Sequence, residues 1–183
     1  MVPNAHKSAE TIAPNSAVVL FDRATGCGYS SLFRLPHMDP FLHPIQRRPV
    51  NTADLPFLIN LRRLTMGPHL EAAGIELDEQ EMLARIHSHF ESGQIIELAG
   101  EAIGLLKVVR EMRTWTVLQV QLLPAWQNQG IGARLIAETI TDARKDGADV
   151  VLSVLKVNKA RRLYERLGFS VISESDGAYT MQA

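Results

Sequence analysis

Cysteine is nearly absent. Cys27 stands alone in 183 residues, so neither an intramolecular disulfide nor a thiolate-rich zinc site can form, and the chain reads as cytoplasmic, made for a reducing compartment. Long apolar runs are missing too: the stretch Ala17-Val18-Val19-Leu20-Phe21 stops at Asp22, far short of the roughly 18 residues a membrane-spanning helix needs. An excess of one charge is also lacking. Nineteen Lys plus Arg against 20 Asp plus Glu leave a net charge of -1, which offers no global basic field to nucleic acid or to an anionic membrane. Ahead of Ala17 the only lysine is Lys7, and Pro14 and Asn15 interrupt the approach, a poor match to a secretory signal.

What is present is an ordinary globular mixture, 46% apolar and 21% charged, which disfavours wholesale disorder, collagen and coiled coil. The length suits one domain and one core. Residues 1–44 differ from the rest: they hold five of the nine prolines, with Gly26 and Gly28 around Cys27. We read them as an N-terminal extension whose one strand-like piece is Ala17 to Phe21. Neither a helix start nor a cationic cluster flanks Cys27, so its thiol has nothing to lower its pKa and make it reactive.

From Ile45 the pattern becomes regular. Ile45 to Val50 reads as a strand, and Thr52 as the cap of a helix bearing Leu55, Leu58, Ile59 and Leu61 that Gly67-Pro68 ends. A second helix from about Asp78 places Met82, Leu83, Ile86 and Phe90 at helical spacing, with Gly93 as its stop. Ile95 to Leu98, Ala102 to Val109 and Thr114 to Leu122 form an antiparallel meander. A helix over Gly130 to Lys145 follows, then an apolar strand Val150 to Leu155, a helix from Asn158 to Leu167, and strands at Phe169 to Ile172 and Ala178 to Met181. The expected order is β, α, α, β, β, β, α, β, α, β, β: an α/β fold with a mixed, mostly antiparallel sheet flanked by helices.

The segment Leu122-Leu123-Pro124-Ala125-Trp126-Gln127-Asn128-Gln129-Gly130-Ile131-Gly132-Ala133 is the most informative. A strand ends in a proline turn and two glycines open an amphipathic helix, leaving unpaired backbone N–H groups directed at one spot. With the helix dipole added, that spot attracts an anion such as phosphate or pyrophosphate. A Walker loop is excluded because Ala133-Arg134 follows Gly132 where Lys-Ser/Thr is required. The dinucleotide fingerprint fails as well, since Leu135 stands where its third glycine belongs. Q-x-x-G-x-G remains, on Gln127, Gly130 and Gly132.

That motif resembles the hallmark of the GNAT superfamily of N-acetyltransferases, and so does the block Val154-Leu155-Lys156-Val157-Asn158-Lys159-Ala160-Arg161-Arg162-Leu163-Tyr164-Glu165-Arg166-Leu167-Gly168-Phe169. The resemblance spans about residues 45–183. It implies acetyl-CoA as the cofactor and a small-molecule or peptide amine as the acceptor. It also implies that backbone groups at Leu122 and Leu123 pair with the pantetheine arm, and that N–H groups of Gln127, Asn128, Gln129, Gly130, Ile131, Gly132 and Ala133 hold the pyrophosphate. Asn158 would bond the pantetheine amide, and Tyr164 would point its hydroxyl at the thioester sulfur as general acid. The N–H at a strand bulge near Leu122 would polarise the thioester carbonyl. Family members often pair through late strands, which leaves a homodimer open.

Plainer roles compete with these. Asn158 serves equally as a helix cap, and Tyr164 as a core-edge aromatic; on the helix, Leu163 and Leu167 would pack inward and leave Tyr164 on a neighbouring face toward the cleft. Lys159, Arg161 and Arg162 are either phosphate ligands or a solvated face. Many family members carry a base as a glutamate on the strand before the glycine loop, where this chain has Gln119 and Gln121, which cannot accept a proton. His69 and Glu71, after Gly67-Pro68, are the candidates for a base or an amine ligand. His87 and His89 lie two apart, face different ways on a helix, and have no third partner for a metal. Trp126 packs under the loop or touches substrate. The missing glutamate leaves a second reading open, a non-catalytic acyl-CoA-binding sensor or interaction module, and another acyl donor such as succinyl-CoA is a third.

Overall fold

The computed structural model describes residues 44–72, 78–156, 158, 160–175 and 177–183. Ala17 to Phe21, Cys27 and Lys159 lie outside them. The strands are β1 (Ile45–Pro49), β2 (Gly93–Leu98), β3 (Glu101–Arg110), β4 (Thr114–Leu122), β5 (Asp149–Leu155), β6 (Ser170–Glu174) and β7 (Ala178–Gln182). The helices are α1 (Leu55–Ala72), α2 (Glu79–His87), α3 (Ile131–Lys145) and α4 (Arg161–Arg166). Their order along the chain matches the expected one. They build one seven-stranded sheet in the order β1-β2-β3-β4-β5-β7-β6, antiparallel everywhere except between β4 and β5.

Local chemistry explains most element ends, and some differ from expectation. The cap before α1 is Asn51, not Thr52: its side chain accepts from Ala53 N while Asp54 answers the Asn51 N–H at 2.9 Å, a reciprocal capping box on a short 3₁₀ turn that leads into the helix. Arg48 of β1 clamps the same Asp54 through two bonds of 2.7 and 2.8 Å and also reaches Glu97 of β2. Gly67-Pro68 does not stop α1, which runs on to Ala72. Pro68 removes the donor for the Leu64 carbonyl, but Leu64 is 45% exposed, so water can take that donor's place. Gly93 opens β2 instead of closing α2, which Ser88 already ends.

The two faces of the sheet are buried differently. On one, α3 and α4 cover Ile96, Leu106, Val117, Val120, Leu122, Val150, Leu152 and Val154, with Leu135, Ile136 and Ile140 of α3 and Tyr164 of α4 in the same cluster. On the other, α1 and α2 supply Leu58, Leu61, Met82 and Ile86 against Ile95 and Leu105. The strand alternation that produces this is broken once in β4. Gln119 pairs with Lys107 but Val117 pairs with Val108, so Leu118 is an extra residue, a bulge that keeps Trp115, Val117, Val120 and Leu122 all on the α3 face.

Gly104 marks a second close approach, between β3 and β4. A Cβ there would overlap the Gln121 carbonyl oxygen and sit 2.7 Å from Leu122 Cδ2. Gly104→Ala should therefore lower unfolding stability by about 1–3 kcal/mol, the cost of forcing atoms into a packed core. A urea titration checks this; an unchanged midpoint would contradict the packing described.

Candidate functional site

The site begins where β4 leaves β5. The parallel pairing runs Thr114 with Asp149, Trp115 with Val150, Thr116 with Val151 and Val117 with Leu152, and ends there. Beyond that point β5 keeps β7 as a partner through Leu155, while residues 118–122 of β4 keep only β3. A wedge opens between the two central strands, and the Leu118 bulge sits at its apex. The bulge is thus four residues earlier than the position near Leu122 that the sequence reading assigned to it.

At the wide end of the wedge the chain turns into the glycine loop. Leu123 is already committed: its N–H donates to Ile103 O at 2.8 Å and its carbonyl accepts from Trp126 N at 2.8 Å. The Leu122 carbonyl accepts the Gln127 side-chain amide at 2.8 Å, and Gln129 donates to Ala125 O at 2.7 Å. The two glutamines therefore brace the loop with their side chains. Trp126 is buried beneath it, the structural one of its two expected roles. Asn128 and Gly130 take positive φ values of 60° and 77°, the left-handed region that glycine tolerates and asparagine visits.

No side chain caps α3 at Gly130. The first main-chain bond of the helix runs from Arg134 N to Gly130 O, so the N–H groups of Ile131, Gly132 and Ala133 have no partner within the helix. They and the helix dipole form a ready-made seat for an anion.

Across the wedge, α4 follows β5. Asn158 Oδ1 accepts from Ala160 N at 2.8 Å and so shapes the turn into α4, although α4 itself starts at Arg161. Tyr164 corrects the expected helix face: it is fully buried in the α3-side core, whereas Leu163 and Leu167 are only half-buried. The reason lies in packing, since its ring meets Phe169 edge-on at 5.8 Å. Its hydroxyl is the one buried side-chain polar atom without a hydrogen-bond partner among the described residues. Burial pushes the phenol far above its usual value, so the group stays a hydroxyl throughout the physiological range. An orphaned buried donor is costly, and it marks a place where a further acceptor would be stabilising.

Other expected residues are not gathered here. His69 and Glu71 fall in the last turn of α1, within the helix and not after it. His87 ends α2 and His89 follows it at φ 49°, and no group of three metal-ligating side chains occurs among the described residues. Arg161 is engaged by Glu165 at 2.8 Å and lies over the Tyr179 ring at 4.3 Å, which leaves Arg162 as the more open of these two cations.

One residue of this region escaped the sequence reading. Lys107 of β3, 4% exposed, lies directly across from Gln119 and sends its ammonium to the C-terminal carbonyls of α2: Ser88 O at 2.6 Å, Ile86 O at 3.2 Å and Arg85 O at 3.5 Å. A lone cation inside the apolar run Ile103 to Val109 was the available signal. Because Lys107 reaches α2, its pair-mate Gln119 also points to the α1–α2 face, as does Gln121 opposite Leu105.

Comparison with known proteins supports the same fold. Residues 89–171 match the family described as "Acetyltransferase (GNAT) domain". No curated protein matches the chain. Among solved structures, the PaiA N-acetyltransferase of Thermoplasma acidophilum, in complex with coenzyme A, superposes with a TM-score of 0.61 at 20% identity, covering 76% of this chain and 98% of that one. Spermidine N-acetyltransferase from Vibrio cholerae, in complex with CoA and spermine, gives 0.56 at 24% identity, covering 76% and 94%. The ribosomal-protein-S18-alanine N-acetyltransferase of Escherichia coli gives 0.58 at 20%, covering 76% and 92%.

Burial, and after it the nearby Arg62 charge, lower the Lys107 ammonium from 10.5 to about 8. Between those two values the unfolded chain binds the extra proton and the folded chain does not, so this residue makes stability rise with pH from about 8 upward. Comparing urea midpoints at pH 8 and pH 9.5, Lys107→Met should lose that rise relative to the native chain. The same pH response in both proteins would contradict the assignment.

Proposed function

We propose, from the match of residues 89–171 to a GNAT acetyltransferase domain, that the chain is an N-acetyltransferase that moves an acetyl group from acetyl-CoA to a primary amine by direct attack in a ternary complex. The observation that carries this reading is the wedge between β4 and β5, ending at the uncapped start of α3. An unpaired strand edge suits an extended amide-bearing arm, and the free N–H groups beside it suit a pyrophosphate.

The residues fit the cofactor. The N–H groups of Ile131, Gly132 and Ala133 would hold the pyrophosphate, with Gln127, Asn128, Gln129 and Gly130 shaping the loop around it. The open edge of residues 118–122 would face the pantetheine arm; of the two leucines, Leu122 is the better placed, through its N–H, because both main-chain groups of Leu123 are engaged within the fold while at Leu122 the carbonyl is taken by Gln127. Asn158 would meet the arm from the β5 side. Bound there, acetyl-CoA supplies an activated acyl group on a thioester.

The chain's own contribution is positional and electrostatic. An N–H at the Leu118 bulge would donate to the developing oxyanion, a form of stabilisation that costs no reorganisation because the strand already holds it. The Tyr164 hydroxyl would donate to the departing sulfur, giving its orphaned proton a partner when negative charge appears. The α1–α2 face, with Gln119 and Gln121, would receive the amine. The same two amides, standing where a carboxylate would serve as base, also favour a second reading, a non-catalytic acyl-CoA-binding module.

Tyr164→Phe removes only the hydroxyl from an apolar site, so the fold should hold. We expect turnover, read as amine-dependent release of coenzyme A, to fall about 100-fold, in the range typical of a general acid, while calorimetric acetyl-CoA affinity changes less than threefold. Equal turnover in the variant would remove Tyr164 from the chemistry. Tight acetyl-CoA binding with no amine-dependent release in the native chain would favour the binding module.

A further inference from the structure

The surface that the acceptor would meet is unusual in its charge. Gln119 and Gln121 point to the α1–α2 face beside the wedge, and Gln121 is 2% exposed. The ionic groups around them are mostly cationic. Lys107 stands opposite Gln119. Arg62 of α1, half-buried, is close enough to Lys107 for their charges to oppose each other, and its guanidinium has no ion pair or hydrogen bond among the described residues. From α2, Glu81 is bound by Arg85, and both of these charges also act on Arg62, in opposite senses. Glu91, just after α2, is the one carboxylate that acts on Lys107, and His87 and His89 flank that end of the helix. No described carboxylate lies on this face of β3 or β4.

Such a surface disfavours a bound ammonium. A positive charge brought beside Lys107 and Arg62 is repelled, and the repulsion is stronger where the site is shielded from water. Among the described residues of β4, nothing removes the ammonium's proton either. An amine that arrives uncharged needs no such help. Its nitrogen forms the C–N bond as the thioester C–S bond breaks, and the one proton the nitrogen sheds is the one the thiol requires, so the reaction balances with no proton left over.

Resting on the acetyltransferase reading above, we propose that the acceptor is a single, weakly basic α-amino group that enters as the free base, held by the amides of Gln119 and Gln121, and that lysine side chains and polyamines are rejected. Peptide amino termini belong to this class, since an α-amino group ionises near 8 and a lysine side chain near 10.4. At pH 7.5 the uncharged fractions of the two differ by roughly 200-fold.

The test compares two versions of one peptide in the full-length protein: a free amino terminus with its lysine blocked, and a blocked terminus with its lysine free. Spermidine serves as a third acceptor, and acetyl-CoA binding is measured separately by calorimetry. At pH 7.5, kcat/KM should favour the α-amine by roughly 100-fold or more, and the gap should narrow about tenfold per pH unit above 8 as the lysine deprotonates. Gln119→Glu, which supplies a carboxylate, should raise use of the lysine peptide and spermidine at least tenfold. Comparable rates on spermidine or the lysine peptide at pH 7.5 would overturn the proposal, as would profiles that rise at the same pH for both peptides. Acetyl-CoA binding without transfer to the α-amine would overturn it too, while leaving the cofactor site standing. Failure to bind acetyl-CoA at all would overturn the proposed function first, and this inference with it.

Discussion

The functional architecture depends on one broken pairing. β4 and β5 share a ladder for four residues and then separate after Val117 and Leu152, in the middle of a sheet where exposed backbone groups are ordinarily satisfied. The Leu118 bulge permits this, because an extra residue bends the strand and increases its twist while returning Val120 and Leu122 to the buried face. Without the shift, the apolar residues on either side of the break would point to opposite faces. The bulge therefore lets a continuous core coexist with an open central edge.

The surroundings keep that opening in place. β5 is held on its far side by β7 along the whole length of the gap, and β4 is held by β3 at the close approach over Gly104. The loop at the mouth is braced by Gln127 and Gln129, which spend their side-chain amides on carbonyls of the preceding turn, so the first N–H groups of α3 are left to whatever binds. On the opposite face, Lys107 fastens the end of α2 to the sheet beside the apex. Three donors meeting three carbonyls at a helix C-terminus is a favourable arrangement for a buried ammonium, and it puts a fixed positive charge near the point where an amine would arrive.

Much of this was legible in the residues. The succession of periodic segments gave the strands and helices in order, because most of them carry an apolar stripe or alternation, and Gly130 and Gly132 announced the loop by their conformational freedom. Other features were not, for identifiable reasons. A bulge leaves no mark in a run such as Thr116-Val117-Leu118-Gln119-Val120, where its presence is decided by what the partner strand requires. The inward face of α4 was misjudged because a six-residue helix has too few turns to define a stripe, and the choice between Leu163 and Tyr164 was made by Phe169 and the sheet. Nothing in the sequence marks Gln121 as buried, and it becomes so on the face of the sheet that α1 and α2 cover.

The central claim is that the wedge and the loop at its mouth form one binding surface for acetyl-CoA. Hydrogen–deuterium exchange of the native chain with and without acetyl-CoA reads that surface directly, since the N–H groups of residues 118–122 that point away from β3 have no strand partner and those of residues 131–133 have none within α3. Slowed exchange at residues 118–122 and 131–133 together is the result this account predicts. Unchanged exchange at both segments under saturating acetyl-CoA, or protection confined to a different face of the sheet, would contradict it.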